Sequence, residues 1–299
     1  VPVKTYQKQK RFSWEVGSFD MGPFWADEDA TLAPYFETSR GALFNGDCLE
    51  TLPLLRGESV DSVFADPPFN LGKEYGKKTN DSRGDREYLA WCKDWLAECI
   101  RLLKPGGALF VYNLPKWNIP LGAFIGTEGG MQFRHWIAIE ISACLPIQGR
   151  LHPSHYSLLY YTKGKPKTFR RIRTPVPVCR HCGGELKDYG GHRKALNPNG
   201  ITLKDVWTDI PPVRHAKFKS GKRKANALST KLLDRVVEMS TVPGDVVLDP
   251  FGGSGTTFAV CEARDRRWLG VELDFADVIR ERLSCDDLAH HRNDDYVED

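Results

Sequence analysis

A chain of 299 residues can bury a large core as one elaborated domain, or as a domain with an insert. Its 41% hydrophobic and 27% charged residues are those of an ordinary globular protein, and no run approaches the roughly 18 apolar residues of a membrane helix. The net charge of +3 conceals an asymmetry: residues 163–224 hold 17 Lys and Arg against 4 Asp and Glu, which leaves the remainder at −10, and a basic stretch in an acidic chain is the footprint of a polyanion partner.

In chain order, VPVKTYQKQKRF shows no signal-peptide core, and residues 1–40 form an aromatic and acidic N-terminal arm to which no role is assigned. GALFNGD (41–47) and VDSVFAD (60–66) read as strands, the second running into Ala65-Asp-Pro-Pro-Phe-Asn70. REYLAWCKDWLAECIRLL (86–103) has helical spacing and stops at KPGG, followed by a strand at GALFVYN (107–113). WIAIEISA (136–143) and YSLLYYTK (156–163), with little helix between them, predict an antiparallel hairpin at one sheet edge. The Gly- and Pro-containing stretch 164–225 reads as an insert carrying the charge excess. ALSTKLLDRVVEMS (227–240) predicts a helix ended by VPGD, DVVLDP (245–250) a strand, TTFAVCEARDR (256–266) a helix and RWLGVEL (267–273) a strand, before a polar, acidic tail at 286–299. Alternating strands and helices predict a mostly parallel α/β sheet covered on both faces. Among the eight cysteines only Cys179 and Cys182 are closely spaced, which argues against a disulfide scaffold and for a reducing, cytoplasmic setting.

The stretch DVVLDPFGGSGTT passes from a strand through a glycine turn into a helix, a design that lets a ligand approach the backbone and the helix amides. No Lys follows the glycines, which excludes a phosphate loop of the GxxxxGK[ST] kind, and the third glycine of a dinucleotide fingerprint is missing. Asp249 precedes the turn and Glu272 follows it by about 20 residues, where a carboxylate suits a ribose diol. A cofactor with a ribose and no pyrophosphate fits, and S-adenosylmethionine is one.

With ADPPFN upstream, DPFGGSGTT resembles the S-adenosylmethionine-dependent amino-methyltransferases of DNA, which methylate adenine N6 or cytosine N4; KPGGALFVYN and LFNGDCLETL match supporting motifs of that family. The resemblance covers 41–163 and 226–285 as the catalytic domain and implies a Rossmann-like seven-stranded sheet with a reversed hairpin at one edge. The acid-proline motif here precedes the glycine turn by about 180 residues. That circularly permuted order resembles the β group, whose target-recognition region falls where the basic insert 164–225 lies. The same resemblance implies cofactor contacts from Asp47, Asp66, Asp249, Phe251, Gly252, Gly253, Ser254, Gly255, Thr256, Thr257 and Glu272. It also points to the helix before the turn, where NALSTKLL departs from the family pattern and leaves Asn226 or Lys231 to grip the methionine carboxylate.

The chemistry accounts for the residue types. An exocyclic amine is a poor nucleophile because its lone pair is delocalised into the ring. Asp66 can accept one amine hydrogen and the Pro67 carbonyl the other, while Pro68 stiffens the step and Phe69 stacks on a flipped base. Both amines are chemically compatible with Asp66, and the resemblance, in which an initial Asp is more usual for the adenine enzymes, implies adenine N6; cytosine N4, RNA and protein amides remain alternatives, and a nicotinamide dehydrogenase leaves the acid-proline step unexplained. Expected partners are double-stranded DNA and a cognate restriction endonuclease, with no membrane and a monomer or homodimer. No metal is required. Cys179-x-x-Cys182, with His181 or His192, is a weak zinc candidate lacking a second CxxC. KGKPKTFRRIR and RHAKFKSGKRK are expected to contact phosphates, and Arg150, His152 and His155 lie near the motif beside the flipped base.

Overall fold

The computed structural model describes residues 17–29, 31–72, 81–141, 148–149, 151–179, 181–188, 190–191, 195–211 and 227–284. Arg150, His192, Asn226, the stretch RHAKFKSGKRK and the tail 286–299 lie outside these residues.

Its centre is a nine-stranded sheet. In chain order the strands are β1 (Phe36–Glu37), β2 (Gly41–Asn45), β3 (Val60–Ala65), β4 (Leu103–Asn113), β5 (Gln132–Glu140), β6 (His155–Thr162), β9 (Val206–Trp207), β10 (Val246–Asp249) and β11 (Arg267–Glu272); β7 (Arg173–Thr174) and β8 (Ile201–Thr202) pair separately. The spatial order is β1-β2-β11-β10-β3-β4-β6-β5-β9. Strands β2, β11, β10, β3 and β4 run parallel, and β6 turns antiparallel against both β4 and β5, so the expected reversed hairpin is present. The short strands β1 and β9 extend the expected seven at either edge.

Side chains alternate across the sheet with the period of two that a pleated strand imposes. Val63, Leu109, Val111 and Leu248 face one apolar core with α2 (Asp85–Leu102) and α3 (Pro115–Gly126). Phe64, Phe110 and Val247 face the other, against α4 (Thr230–Ser240), α5 (Thr256–Ala263) and α6 (Ala276–Ser284). A one-turn helix α1 (Cys48–Thr51) follows β2. No described helix is long and apolar enough to cross a membrane.

The structure adds detail at several points. The described part of the N-terminal arm belongs to the core: Phe19, Met21, Phe24 and Trp25 are buried, and Phe24 stacks on Phe19. The helix stops at Leu102 and the strand starts at Leu103, so KPGG lies within β4 as a bulge, with Leu103 opposite Val60 and Ala108 opposite Ser62. Gly106 there has φ +81°, and a Cβ on it would lie 2.8 Å from the Lys167 backbone nitrogen. The basic insert is also partly woven into the domain, since Trp207 is buried and β9 pairs with β5. Arg235 beneath it binds Asp209 through two hydrogen bonds of 2.8 and 2.5 Å.

Three cations of the first basic run, KGKPKTFRRIR, have partners within the domain, although Lys165, Lys167, Arg170 and Arg171 are exposed. The Lys163 ammonium donates to the Leu103 carbonyl at 2.8 Å, Lys167 bridges Asp61 and Asp245 at 2.9 and 3.0 Å, and Arg170 pairs with Glu238 at 2.8 Å. Asp61 and Asp245 stand at the amino ends of β3 and β10. This edge lies ~13–17 Å from the carboxyl ends of the same strands. Lys167 and Arg170 thereby tie the start of the insert to the domain.

Candidate active site

Open parallel sheets place ligands outside the carboxyl ends of their strands. There, β3 ends in Asp66-Pro-Pro-Phe, and its neighbour β10 ends in Asp249 and the glycine turn. Residues separated by most of the chain are thus side by side.

Asp66 is half-buried, and its carboxylate has no hydrogen-bond or ionic partner among the described residues. Burial, reinforced by the charge of Asp249, pushes its carboxyl well above the usual range. Two prolines in succession remove two backbone donors, so the next residues are fastened by their carbonyls. Pro68 C=O accepts from the Tyr88 hydroxyl at 2.6 Å, and Phe69 C=O accepts from Trp117 Nε1 at 2.8 Å. Asn70 is clamped beyond them: its N–H donates to Asp81 and its amide exchanges hydrogen bonds with the Arg83 backbone. The Pro67 carbonyl accepts none from the described residues. Phe69 forms a ring cluster with Tyr112 and Tyr156, with centroids 5.9 and 5.5 Å away and 5.4 Å between the tyrosines.

The glycine turn is built with equal economy. Gly253 and Gly255 adopt φ +55° and +77°, a region that favours glycine. Asp249 accepts from the Phe251 N–H at 2.9 Å and the Thr257 hydroxyl at 2.5 Å, and burial raises its carboxyl to about 7. Glu272, at the end of β11, accepts the amides of Gly253, Asp274 and Phe275 at 2.6, 2.9 and 3.0 Å. A carboxylate offers about four lone-pair directions, so roughly one remains for a ligand. Burial raises the Glu272 carboxyl too. The back of the turn is closed: a Cβ on Gly252 would lie 2.9 Å from both Ile279 and Phe258, while Arg282 donates to the Ser254 carbonyl and to Thr256 at 3.0 and 2.9 Å.

Other sequence-derived candidates sit as follows. Asp47 caps α1, accepting the Leu49 N–H at 2.9 Å, at the same sheet edge. Phe251 packs against Trp91 and Trp95, 5.7 and 5.1 Å away. Lys231 is drawn to Asp209 at 3.1 Å, a partner its sequence context does not reveal. His155 opens β6 opposite Glu140, and His152 is exposed. Cys179 and Cys182 form a tight knuckle closed by Gly183 N–H to Cys179 C=O at 2.9 Å and Cys179 N–H to Gly184 C=O at 2.8 Å. Backbone amides of Cys182 and His181 lower the Cys179 thiol pKa. No group of three or more metal-ligating side chains occurs among the described residues.

Sequence reasoning missed Tyr88, Asn113, Trp117, Tyr112 and Tyr156. The one signal available was position: Tyr112 and Asn113 end β4, as Ala65 ends β3 and Asp249 ends β10.

Residues 60–276 match the family model described as DNA methylase. The chain belongs to the N6/N4 DNA methylases. It is 55% identical over 257 residues to the type II methyltransferase M.BamHI of Bacillus amyloliquefaciens, covering 86% of this chain and 60% of that protein's length. It is 30% identical over 262 residues to the DNA adenine methyltransferase YhdJ of Escherichia coli K12, covering 86% of each chain. Among solved structures, the cytosine-N4-specific PvuII DNA methyltransferase shares the fold at TM-score 0.60 and 22% identity, covering 84% of this chain and 88% of that one. TTHA0409 of Thermus thermophilus, solved with S-adenosylmethionine, does so at TM-score 0.52 and 24% identity, covering 83% of this chain and 95% of that one. S-adenosylmethionine is the methyl donor of this family. The site suits such a cation: Asp66, Asp249 and Glu272 are gathered at one edge without an Arg or Lys partner among the described residues, and burial raises all three.

Proposed function

We propose that this chain is a DNA (adenine-N6) methyltransferase using S-adenosylmethionine. The observation that carries the reading is the pattern of acceptors in the loop after β3. The carbonyls of Pro68 and Phe69 are occupied, while the Asp66 carboxylate and the neighbouring Pro67 carbonyl have no partner among the described residues.

S-adenosylmethionine, when bound, supplies an electrophilic methyl on a sulfonium. The glycine turn Gly252–Gly255 with Thr256 and Thr257, together with Asp47, Phe251 and Glu272, holds it, and Glu272 has one lone-pair direction for a ribose hydroxyl. The Asp66 carboxylate and the Pro67 carbonyl accept the two hydrogens of the target amine, which favours a pyramidal nitrogen with its lone pair turned outward. Phe69, with Tyr112 and Tyr156 behind it, offers an aromatic face to a base taken out of the duplex. The surplus proton leaves after transfer; an ionised Asp66, already bonded to the amine, is its first acceptor.

Adenine is favoured by the Asp that opens the motif. Cytosine N4 is the second reading, because both amines present the same two hydrogens. The insert 164–225 is proposed to read the target sequence, and the resemblance to type II methyltransferases supports a companion restriction endonuclease. Sequencing modified bases in DNA from cells expressing the chain tests the proposal. N6-methyladenine at a fixed motif is expected; N4-methylcytosine would replace the base assignment, and no new methylated base would overturn the proposal.

A further inference from the structure

The acceptors at Asp66 and Pro67, unpartnered among the described residues, are useful only if the chain between Asp66 and Phe69 is held in one register. Resting on the acceptor reading above, we propose that Tyr88, oriented by Asn113, is a positioning residue for methyl transfer and not merely part of the core.

Tyr88 is fully buried near the start of α2, its ring 4.6 Å from Trp117 and 5.8 Å from Trp91. Phenylalanine would pack equally well there, and a buried hydroxyl is costly unless it is bonded. This hydroxyl is bonded twice. It donates to Pro68 C=O at 2.6 Å and accepts from Asn113 Nδ2 at 3.0 Å. A phenol has one proton. Because Asn113 occupies the oxygen as a donor, that proton is directed to Pro68. The Asn113 amide is itself fixed, since its Oδ1 accepts the Leu114 N–H at 2.7 Å and therefore cannot exchange places with Nδ2. Asn113 is anchored at the end of β4, where its carbonyl accepts the Ser157 hydroxyl at 3.0 Å.

The double proline explains why such a device is needed. Pro67 and Pro68 have no N–H, so carbonyl acceptors are the only backbone handles at those positions. Tyr88 takes the second carbonyl and Trp117 the third, which leaves the first to face the amine. Releasing Pro68 C=O would let the Pro67 peptide rock with it.

The test uses the full chain and DNA from a methylation-deficient host, following methyl incorporation and binding of S-adenosylmethionine. Tyr88→Phe is expected to lower kcat on the order of a hundredfold, the cost of a misplacement near 1 Å, with KM for cofactor and DNA unchanged. Asn113→Asp keeps the bond to Leu114 but offers Tyr88 a competing carboxylate, so it should lower kcat in the same way; the double variant should be no worse than the worse single one. Wild-type kcat in Tyr88→Phe, or a loss fully accounted for by a smaller folded fraction, would overturn the inference. Asp66→Ala separates the two levels. If it stays active, the acceptor reading falls; if it is inactive while Tyr88→Phe is normal, only the positioning role falls.

Discussion

Asp66 and Asp249 close neighbouring parallel strands, and the charge of Asp249 adds to burial in raising the Asp66 carboxyl above its ordinary range. A cation between them favours their ionised forms, so binding the sulfonium should release protons. With Asp249 near 7, affinity for S-adenosylmethionine is expected to strengthen as pH rises from about 6 to 8, more steeply than affinity for the neutral thioether product. Calorimetry across that range decides; parallel slopes for the two ligands would refute it.

The same raised carboxyl bears on the unliganded fold. Its folded-state pKa exceeds the unfolded value, so the stability it contributes is fully present below about 4 and is lost as pH rises through about 7. Melting temperature should therefore decline between pH 4 and 8, and Asp249→Asn should flatten that decline.

Asp66→Asn removes an ionised acceptor while nearly conserving shape. Methyl transfer should fall on the order of 10²–10³-fold, as when a preorganised polar contact to the reacting group is lost. Equilibrium binding of S-adenosylmethionine should survive, and a matching loss of binding would assign Asp66 to the cofactor instead.

Lys167 supplies a prediction about the insert. Because it bridges Asp61 and Asp245 at the far sheet edge, Lys167→Met should leave the salt dependence of DNA binding unchanged. It should cost about 1 kcal/mol of stability in chemical denaturation. A shallower salt slope would show that this lysine reaches phosphate.

Gly41→Ala tests the sheet away from the chemistry. A Cβ there would lie 2.2 Å from the Trp268 ring and 2.4 Å from the Trp268 carbonyl. Overpacking of this kind costs about 1–3 kcal/mol, read as a lower melting temperature with KM unchanged in the cold.

Strands β2, β3, β6, β10 and β11 were legible in the sequence because short apolar runs bounded by Gly, Pro and Asp admit few other readings. The helix α3 was not: Pro115 and Pro120 sit inside PKWNIPLGAFIG and mask a helix that tolerates Pro at its first position. At the site, Asp66 and Asp249 were readable because their motifs are local. Tyr88, Asn113 and Trp117 were not, because a tyrosine on an amphipathic helix looks like any core residue until its hydroxyl is seen to meet a carbonyl 20 positions upstream. The misjudged lysines make the same point. Charge counting detects Lys163 and Lys167 but not the Leu103 carbonyl that the first meets or the buried carboxylates that the second bridges.

Strand β10 enters the sheet between β3 and β11, pairing Val247 with Ser62 and Leu248 with Val63. Acceptor loop and donor shelf therefore meet along one short ladder, although the chain between them is long. On the proposed reading, synthesis would deliver the Asp66 loop well before the glycine turn, so a growing chain would hold the acceptors without the shelf. On the same reading, a cut within the insert should leave two fragments that can act together only by re-forming that ladder, so the pairing of β3 with β10 is where a split form of the enzyme would have to join.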